Sequence, residues 1–262
     1  MSKPIFIIAT QRSGSNYLRS LLTSTGMFYD FNEILDPYWE GNLKNTYFYF
    51  REQEIKKNPE LSIPYPHNVG KLFKDYLAYL EKLQPEHPYH LLDVKYNSLH
   101  HFNEIWDGDW PFLFNLINRN QIPFIHLVRN NVYEVYQSLI IADFNKVYTV
   151  EKNKSCNLKS ISIDLDDMLF HIKLLEYKID YIRNICKQMP LAMEINYEEL
   201  VKEKNSIPEN IKTEFSKVTG IYLKNNISSP LKKMITKPKE LIENYDEVMQ
   251  CLKNNGYEKY VI

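Results

Sequence analysis

The sequence is poor in cysteine and glycine and carries almost no net charge. Its three cysteines (Cys156, Cys186 and Cys251) lie far apart, which excludes a disulfide framework and the close spacing of a zinc site. The 32 lysines and arginines balance 33 aspartates and glutamates, so the formal net charge is −1. An extended basic surface for nucleic acid is therefore not expected.

Long hydrophobic runs are also missing. No stretch approaches the ~18 to 20 apolar residues that a membrane-spanning helix needs. The N-terminus passes directly into a short apolar run, without the pattern of a cleaved signal peptide. These features predict a cytoplasmic protein. Because the chain also lacks a flexible linker and internal repeats, residues 1–262 are expected to form a single domain.

The most informative segment lies near the N-terminus, where an apolar run, a polar turn and a helical pattern follow one another. Residues 5–9 are apolar, as in a strand buried on both faces, and Leu18, Leu21 and Leu22 recur at helical spacing. A helix that begins after such a turn presents unpaired amides and a positive dipole end to an anion. Arg12 adds a charge that can bind two oxygens. The segment predicts a site for a phosphate or a sulfate ester.

A second segment of the same kind follows later in the chain. Residues 123–128 form another apolar strand pattern, Arg129 comes directly after it, and a helix is predicted from Val132. On this helix Ser138 falls opposite the apolar stripe. Because open α/β sheets bind ligands at the carboxyl ends of their strands, both segments are expected at one edge of the sheet.

The rest of the pattern supports an α/β fold with a parallel sheet flanked by helices. Strand patterns at residues 91–95 and 193–197 alternate with helical patterns at 69–80 and 164–189. A last helix is predicted from a set of apolar positions near the C-terminus, Leu241, Ile242, Tyr245, Val248, Met249 and Leu252.

The first turn matches neither of two common phosphate-binding loops. It lacks the Gly-x-x-x-x-Gly-Lys-Ser/Thr pattern of nucleotide triphosphate sites, and no cysteine lies near it. It does resemble the 5′-phosphosulfate loop of bacterial sulfotransferases that use PAPS (3′-phosphoadenosine 5′-phosphosulfate). Arg129 and Ser138 resemble the 3′-phosphate motif of that family, and Tyr197-Glu-Glu-Leu resembles its adenine-contacting element. Surface ion pairing, a solvated helix face and ring packing are the alternatives for these three residues.

The resemblance implies a P-loop-like sulfotransferase fold and an enzyme that transfers a sulfuryl group from PAPS to a hydroxyl, with PAP as product. It implies cofactor contacts from the first turn, the second segment and the tyrosine: Gln11, Arg12, Ser13, Gly14, Ser15, Asn16, Arg129, Ser138 and Tyr197. Because family members act on sugars and glycolipids, it also implies a saccharide acceptor. No metal is needed, and a homodimer is left open.

Three residues are assigned to catalysis. Arg12 would stabilise charge on the transferred group, and Glu33, at the end of the second predicted strand, would act as the base. Lys95 ends another strand and would bind substrate or stabilise charge, with an ion pair to Asp93 as the alternative. Other candidates for the base are the carboxylates and histidines nearby, Asp30, Asp36, His100 and His101.

The acceptor site is the least defined part of the sequence. Tyr38, Trp39 and the aromatic run 47–50 suit either sugar stacking or packing, and residues 106–110 form a turn-rich loop that could flank the acceptor. Lys232 or Lys233 would cover the cofactor phosphates, and a solvated lysine pair is the alternative. Two other functions stay open: a nucleotide-dependent phosphotransferase (kinase) on a related fold, and a non-catalytic binding protein that retains the scaffold.

Overall fold

The computed structural model describes residues 3–37, 42–102, 110–148, 158–203, 206–223, 228–231 and 238–261. Within these ranges it has five strands, β1 (Lys3–Ala9), β2 (Phe28–Glu33), β3 (Tyr89–Lys95), β4 (Phe124–Val128) and β5 (Ala192–Asn196). The helices are α1 (Ser15–Thr23), α2 (Tyr47–Lys57), α3 (Pro66–Leu83), α4 (Phe112–Arg119), α5 (Val132–Asn145), α6 (Leu165–Cys186), α7 (Tyr197–Leu200), α8 (Glu209–Thr219), α9 (Pro238–Leu241) and α10 (Tyr245–Asn254).

The five strands form one parallel sheet in the order β2-β3-β1-β4-β5, with helices on both faces. The apolar run of β1 lies at its centre, and residues 5–9 are fully buried. Such runs form central strands because both of their faces are covered by helices. The prediction of an α/β fold with a parallel sheet is therefore confirmed.

The two faces of β1 contact different helices. Phe6 and Ile8 belong to a large apolar cluster that includes α3, α5 and α6, whereas Ile5 and Ile7 pack with α1 and α8. Thus α1 and α5 follow the neighbouring strands β1 and β4 but cover opposite faces of the sheet. This arrangement opens a crevice at the carboxyl ends of β1 and β4, where open α/β sheets bind ligands.

Helix α6 agrees with its pattern, while the C-terminal helix starts later than predicted. Asp164 caps α6 by accepting hydrogen bonds from the amides of Asp166 and Asp167. Helix α10 begins at Tyr245, so Leu241 and Ile242 lie outside it. The side chain of Asn244 binds both backbone groups of Ile163, and Ile242 forms a bridge with Ile161. Because of these long-range contacts, Leu241 and Ile242 do not continue the helix toward the N-terminus.

The aromatic run 47–50 lies on α2 and is largely structural. Tyr47 and Phe50 are buried and pack against Tyr76, which supports the packing interpretation for these two residues. Trp110 lies partly buried against the main apolar cluster. Tyr38, Trp39, residues 106–109, Lys232 and Lys233 lie outside the described residues. In the described ranges, no helix is long and apolar enough to cross a membrane.

Candidate functional site

The turn between β1 and α1 leaves the first amides of the helix available to a ligand. Arg12 and Gly14 both have positive φ angles, 64° and 94°, and the hydroxyl of the buried Ser13 donates to the carbonyl oxygen of Thr10 at 2.8 Å. Gly14 is the N-cap residue and has no side chain with which to cap the helix. The helix N-terminus therefore has no side-chain cap, and its first amides can donate to an anion.

Tyr197 packs directly on this turn. A β-carbon added to Gly14 would lie 2.4 Å from Cδ2 of Tyr197, so only glycine fits against the ring. The guanidinium carbon of Arg129 lies 5.1 Å from the centre of the same ring. Burial raises the pKa of the Tyr197 phenol, which stays neutral. The ring thus connects the end of β5 to the turn after β1 and to the arginine after β4.

Arg12 and Ser138 meet across the crevice. The Nε atom of Arg12 donates to Oγ of Ser138 at 3.0 Å, and its Nη1 atom donates to the backbone oxygen of Tyr148. Ser138 is buried on α5. Burial lowers the pKa of Arg12, while the nearby Asp143 opposes this shift. Arginine nevertheless keeps its charge in proteins. A positive charge therefore lies in the crevice at the carboxyl ends of β1 and β4.

Arg129 is buried beside Arg12 and forms an ion pair, which is the structural alternative to a cofactor contact, although the pair lies largely below the surface. Its Nη1 atom donates to the backbone oxygen of Arg12 at 3.4 Å, and its Nη2 atom forms an ion pair with Glu134. The sequence analysis did not identify Glu134 as a partner. Its position three residues after the N-cap Asn131 predicts only a role at the start of α5.

A second group of charges lies under α1, on the side of β3. The Nζ atom of Lys95 is 2.6 Å from Oγ of Ser15, 2.7 Å from Oδ2 of Asp93 and 3.5 Å from Oε1 of Glu33. The ion pair with Asp93 that the sequence left open is therefore present. The same lysine also contacts the first residue of α1, which brings β2, β3 and the predicted anion site together.

Two carboxyl groups in this cluster have shifted pKa values. Burial opposes ionisation of Asp93, but the charges of Lys95 and Arg19 outweigh it and hold the pKa of Asp93 below its ordinary value. Burial raises the pKa of Glu33, although Lys95 partly opposes the shift. Glu33 remains partly accessible, with 25% of its side chain exposed. A partly exposed carboxylate with a raised pKa has the properties of a general base.

Arg19 is the residue that the sequence analysis missed. It is almost fully buried on α1, and its Nε atom lies 3.1 Å from Oδ2 of Asp93. Its Nη1 atom lies 2.5 Å from Oδ2 of Asp30, and Nη2 donates to the side chain of Asn16. Asp30 is thus committed to an ion pair. Nothing in the helical pattern distinguishes Arg19 from an exposed arginine, since its partners come from other strands.

The remaining candidates lie around Asn97. The side chain of Asn97 donates to Oε1 of Gln11 at 3.5 Å, at the edge of the turn. His100 hydrogen-bonds to the backbone oxygen of Asn97, and the ring of His101 packs on Phe48. The two histidines are therefore engaged in local contacts.

Comparison with known proteins identifies no family for this chain. No protein-family model matches the chain, and no curated protein is significantly similar to it. The chain is an α/β protein in which an uncapped helix N-terminus, Arg12, the buried Arg129 and a Lys–Glu–Asp cluster meet at the carboxyl edge of a parallel sheet.

Proposed function

We propose that the protein is a PAPS-dependent sulfotransferase with a P-loop-like sulfotransferase fold, which transfers a sulfuryl group to a hydroxyl of a saccharide or glycolipid and releases PAP. The observation that carries the proposal is the convergence of Arg12, Arg129 and Ser138 on the crevice between β1 and β4. The guanidinium groups of the partly buried Arg12 and the buried Arg129, beside an uncapped helix N-terminus, suit a ligand with two phosphate-like ends.

The residues fit such a cofactor in a definite arrangement. Arg12 and the first amides of α1 would hold the 5′-phosphosulfate, and Arg129 with Ser138 would hold the 3′-phosphate. Glu134 now pairs with Arg129, so a 3′-phosphate would have to replace this carboxylate. Tyr197 lies between Gly14 and Arg129, where its ring borders both ends of the proposed site.

The chemistry would take place on the side of β2 and β3. Bound PAPS supplies the sulfuryl group and a stable leaving group. Glu33 would take the proton of the acceptor hydroxyl as its oxygen bonds to sulfur, and its raised pKa suits that role. Arg12 and the amides of α1 would stabilise the charge that moves to the leaving phosphate as the old S–O bond breaks. Lys95, held by Asp93, would stabilise the sulfuryl oxygens.

One observation favours the non-catalytic alternative. Arg129 and Lys95 already pair with Glu134 and Asp93, so the charges of this region are compensated without a ligand. A structural network of this kind would persist in a binding protein that retained the scaffold. Ligand binding therefore has to be measured before turnover.

The test is calorimetric titration with PAP, AMP and ATP–Mg. PAP and AMP differ by the 3′-phosphate, and a charged hydrogen bond contributes about 1.5 to 3 kcal/mol, so PAP should bind at least about tenfold more tightly than AMP. Arg129→Gln should remove this preference, whereas Glu134→Gln should increase PAP affinity because it removes the competing carboxylate. Lys74→Gln, which removes an exposed charge on α3, is the control and should change neither affinity.

Each other result selects a different function. Equal affinity for PAP and AMP contradicts the assignment of Arg129 and Ser138. Tighter binding and magnesium-dependent turnover of ATP would favour the kinase. Binding of none of the three nucleotides would favour the scaffold protein.

A further inference from the structure

A cleft of about 430 Å³ lies next to the proposed cofactor site, between the segment after β3 and helix α6. We call it the α6 cleft; the residues that line it include Tyr96, Asn97, His100, Lys178, Tyr181 and Ile182. Asn97 joins it to the turn after β1, because its side chain donates to Gln11 and accepts a hydrogen bond from Nζ of Lys178 at 3.1 Å. A ligand in the cleft would thus lie one side chain away from the turn.

Lys178 brings a positive charge into this cleft. Within the part of the chain that the structure describes, Asn97 is its hydrogen-bond partner and no carboxylate lies within ion-pair distance. Burial lowers the pKa of Lys178. The two acidic residues nearest along α6 are engaged elsewhere: Glu176 accepts from Lys259 and Tyr260, and Asp180 pairs with Arg183.

The cleft also offers aromatic surface. Tyr181 lines the cleft, and its ring lies nearly parallel to that of Tyr177 on the same helix, with an interplanar angle of 13° and centroids 6.4 Å apart. Aromatic rings with a polar tip pack against the apolar face of a sugar and leave its hydroxyls to hydrogen-bond. Asn97 and His100 supply polar groups near these rings.

Tyr96 also lines the cleft, and a chain of hydrogen bonds fixes the orientation of its ring. Its oxygen is 2.6 Å from Nε2 of the fully buried His126, whose Nδ1 is 3.0 Å from Glu194. The pKa of Glu194 is lowered, because hydrogen bonds from His126 and Arg183 outweigh its burial. The carboxylate therefore accepts from Nδ1–H of His126, and Nε2 accepts the proton of Tyr96.

We propose that the α6 cleft binds an acidic saccharide, with Lys178 pairing with its anionic group and Tyr181 packing against its ring. This inference rests on the proposed function, in which that saccharide is the sulfuryl acceptor. A neutral sugar would leave the Lys178 charge uncompensated, whereas a carboxylate or phosphate would compensate it. The preference for an acidic sugar over a neutral one is therefore the property to measure.

The experiment uses saturation-transfer NMR titrations of the full chain with sodium glucuronate, glucose 6-phosphate and glucose, each with and without PAP. The two acidic sugars should bind about tenfold more tightly than glucose, as expected for a charged hydrogen bond. Lys178→Gln should remove this preference, while Lys173→Gln, an exposed lysine on the same helix, should leave it unchanged. Tyr181→Ala should weaken all three sugars alike.

The inference is overturned if glucose binds as well as the acidic sugars, or if Lys178→Gln leaves the preference intact. An equal loss in Lys173→Gln also overturns it, since the effect would then be one of overall charge. PAP binding without any preference for acidic sugars contradicts this inference alone. A preference that depends on Lys178 in a protein that does not bind PAP contradicts the sulfotransferase instead and leaves the acidic-sugar site in place.

Discussion

The contact between Gly14 and Tyr197 makes a sharp prediction about stability. Gly14 has a φ angle of 94°, and an added β-carbon would lie 2.4 Å and 2.5 Å from two carbons of the Tyr197 ring. Gly14→Ala should therefore incur two costs, one from the backbone and one from the collision. Gly26 has a φ angle of 74° but nothing within 4 Å of an added β-carbon. Gly26→Ala incurs only the backbone cost and is the matched control.

The magnitudes follow from these two terms. A non-glycine residue in the left-handed region costs about 1 to 2 kcal/mol, and overpacking costs about 1 to 3 kcal/mol. Gly14→Ala should thus lower the free energy of unfolding by about 2 to 5 kcal/mol, and Gly26→Ala by only about 1 to 2 kcal/mol. In a Tyr197→Ala background, the cost of Gly14→Ala should fall to that of Gly26→Ala, because the collision is gone.

Urea denaturation of the four variants and the wild type measures these differences, provided that the m-values agree. If Gly14→Ala costs no more than Gly26→Ala, Tyr197 does not lie on the turn as described. If the cost of Gly14→Ala is the same with and without the Tyr197 ring, the collision is not its cause.

Two further predictions concern the charges under α1. Glu33→Gln should lower kcat for sulfuryl transfer by about 10²- to 10⁴-fold without changing the Kd for PAP. The wild-type rate should fall as pH decreases through the raised pKa of Glu33, because the base is then protonated. The control Asp36→Asn should keep the wild-type rate, and a similar loss of rate in this variant would assign the base to Asp36 instead. Asp93→Asn should lower the free energy of unfolding at pH 7 by about 3 kcal/mol, because it leaves Arg19 and Lys95 underpaired. Because the pKa of Asp93 is lowered in the folded state, its contribution to the free energy of unfolding is complete above about pH 3.9 and is lost as pH falls through the folded-state pKa. The stabilities of the wild type and Asp93→Asn, measured by denaturation, should therefore converge only in acid. Convergence near pH 6 would contradict the assignment.

The strands and most of the helices follow from local pattern. The apolar runs around Ile7 and Ile125 predict buried parallel strands, and both lie in the middle of the sheet. Helix α6 is recognisable from its apolar spacing and from Asp164 at its start. Boundaries were less predictable where distant residues decide them, as at α10, where the contact of Asn244 with Ile163 delays the start of the helix.

The sequence by itself determined which residues follow the strands, and therefore which side chains share one edge of a parallel sheet. Arg12, Lys95 and Arg129 were predicted at that edge for this reason, and all three lie there. Only the tertiary structure decided how these charges are paired. Arg19 with Asp93, Arg129 with Glu134 and the position of Lys178 in the α6 cleft depend on the packing of helices against strands. Such pairings leave no periodic signal in the sequence, because a buried arginine and an exposed one occupy the same kind of position in a helical pattern.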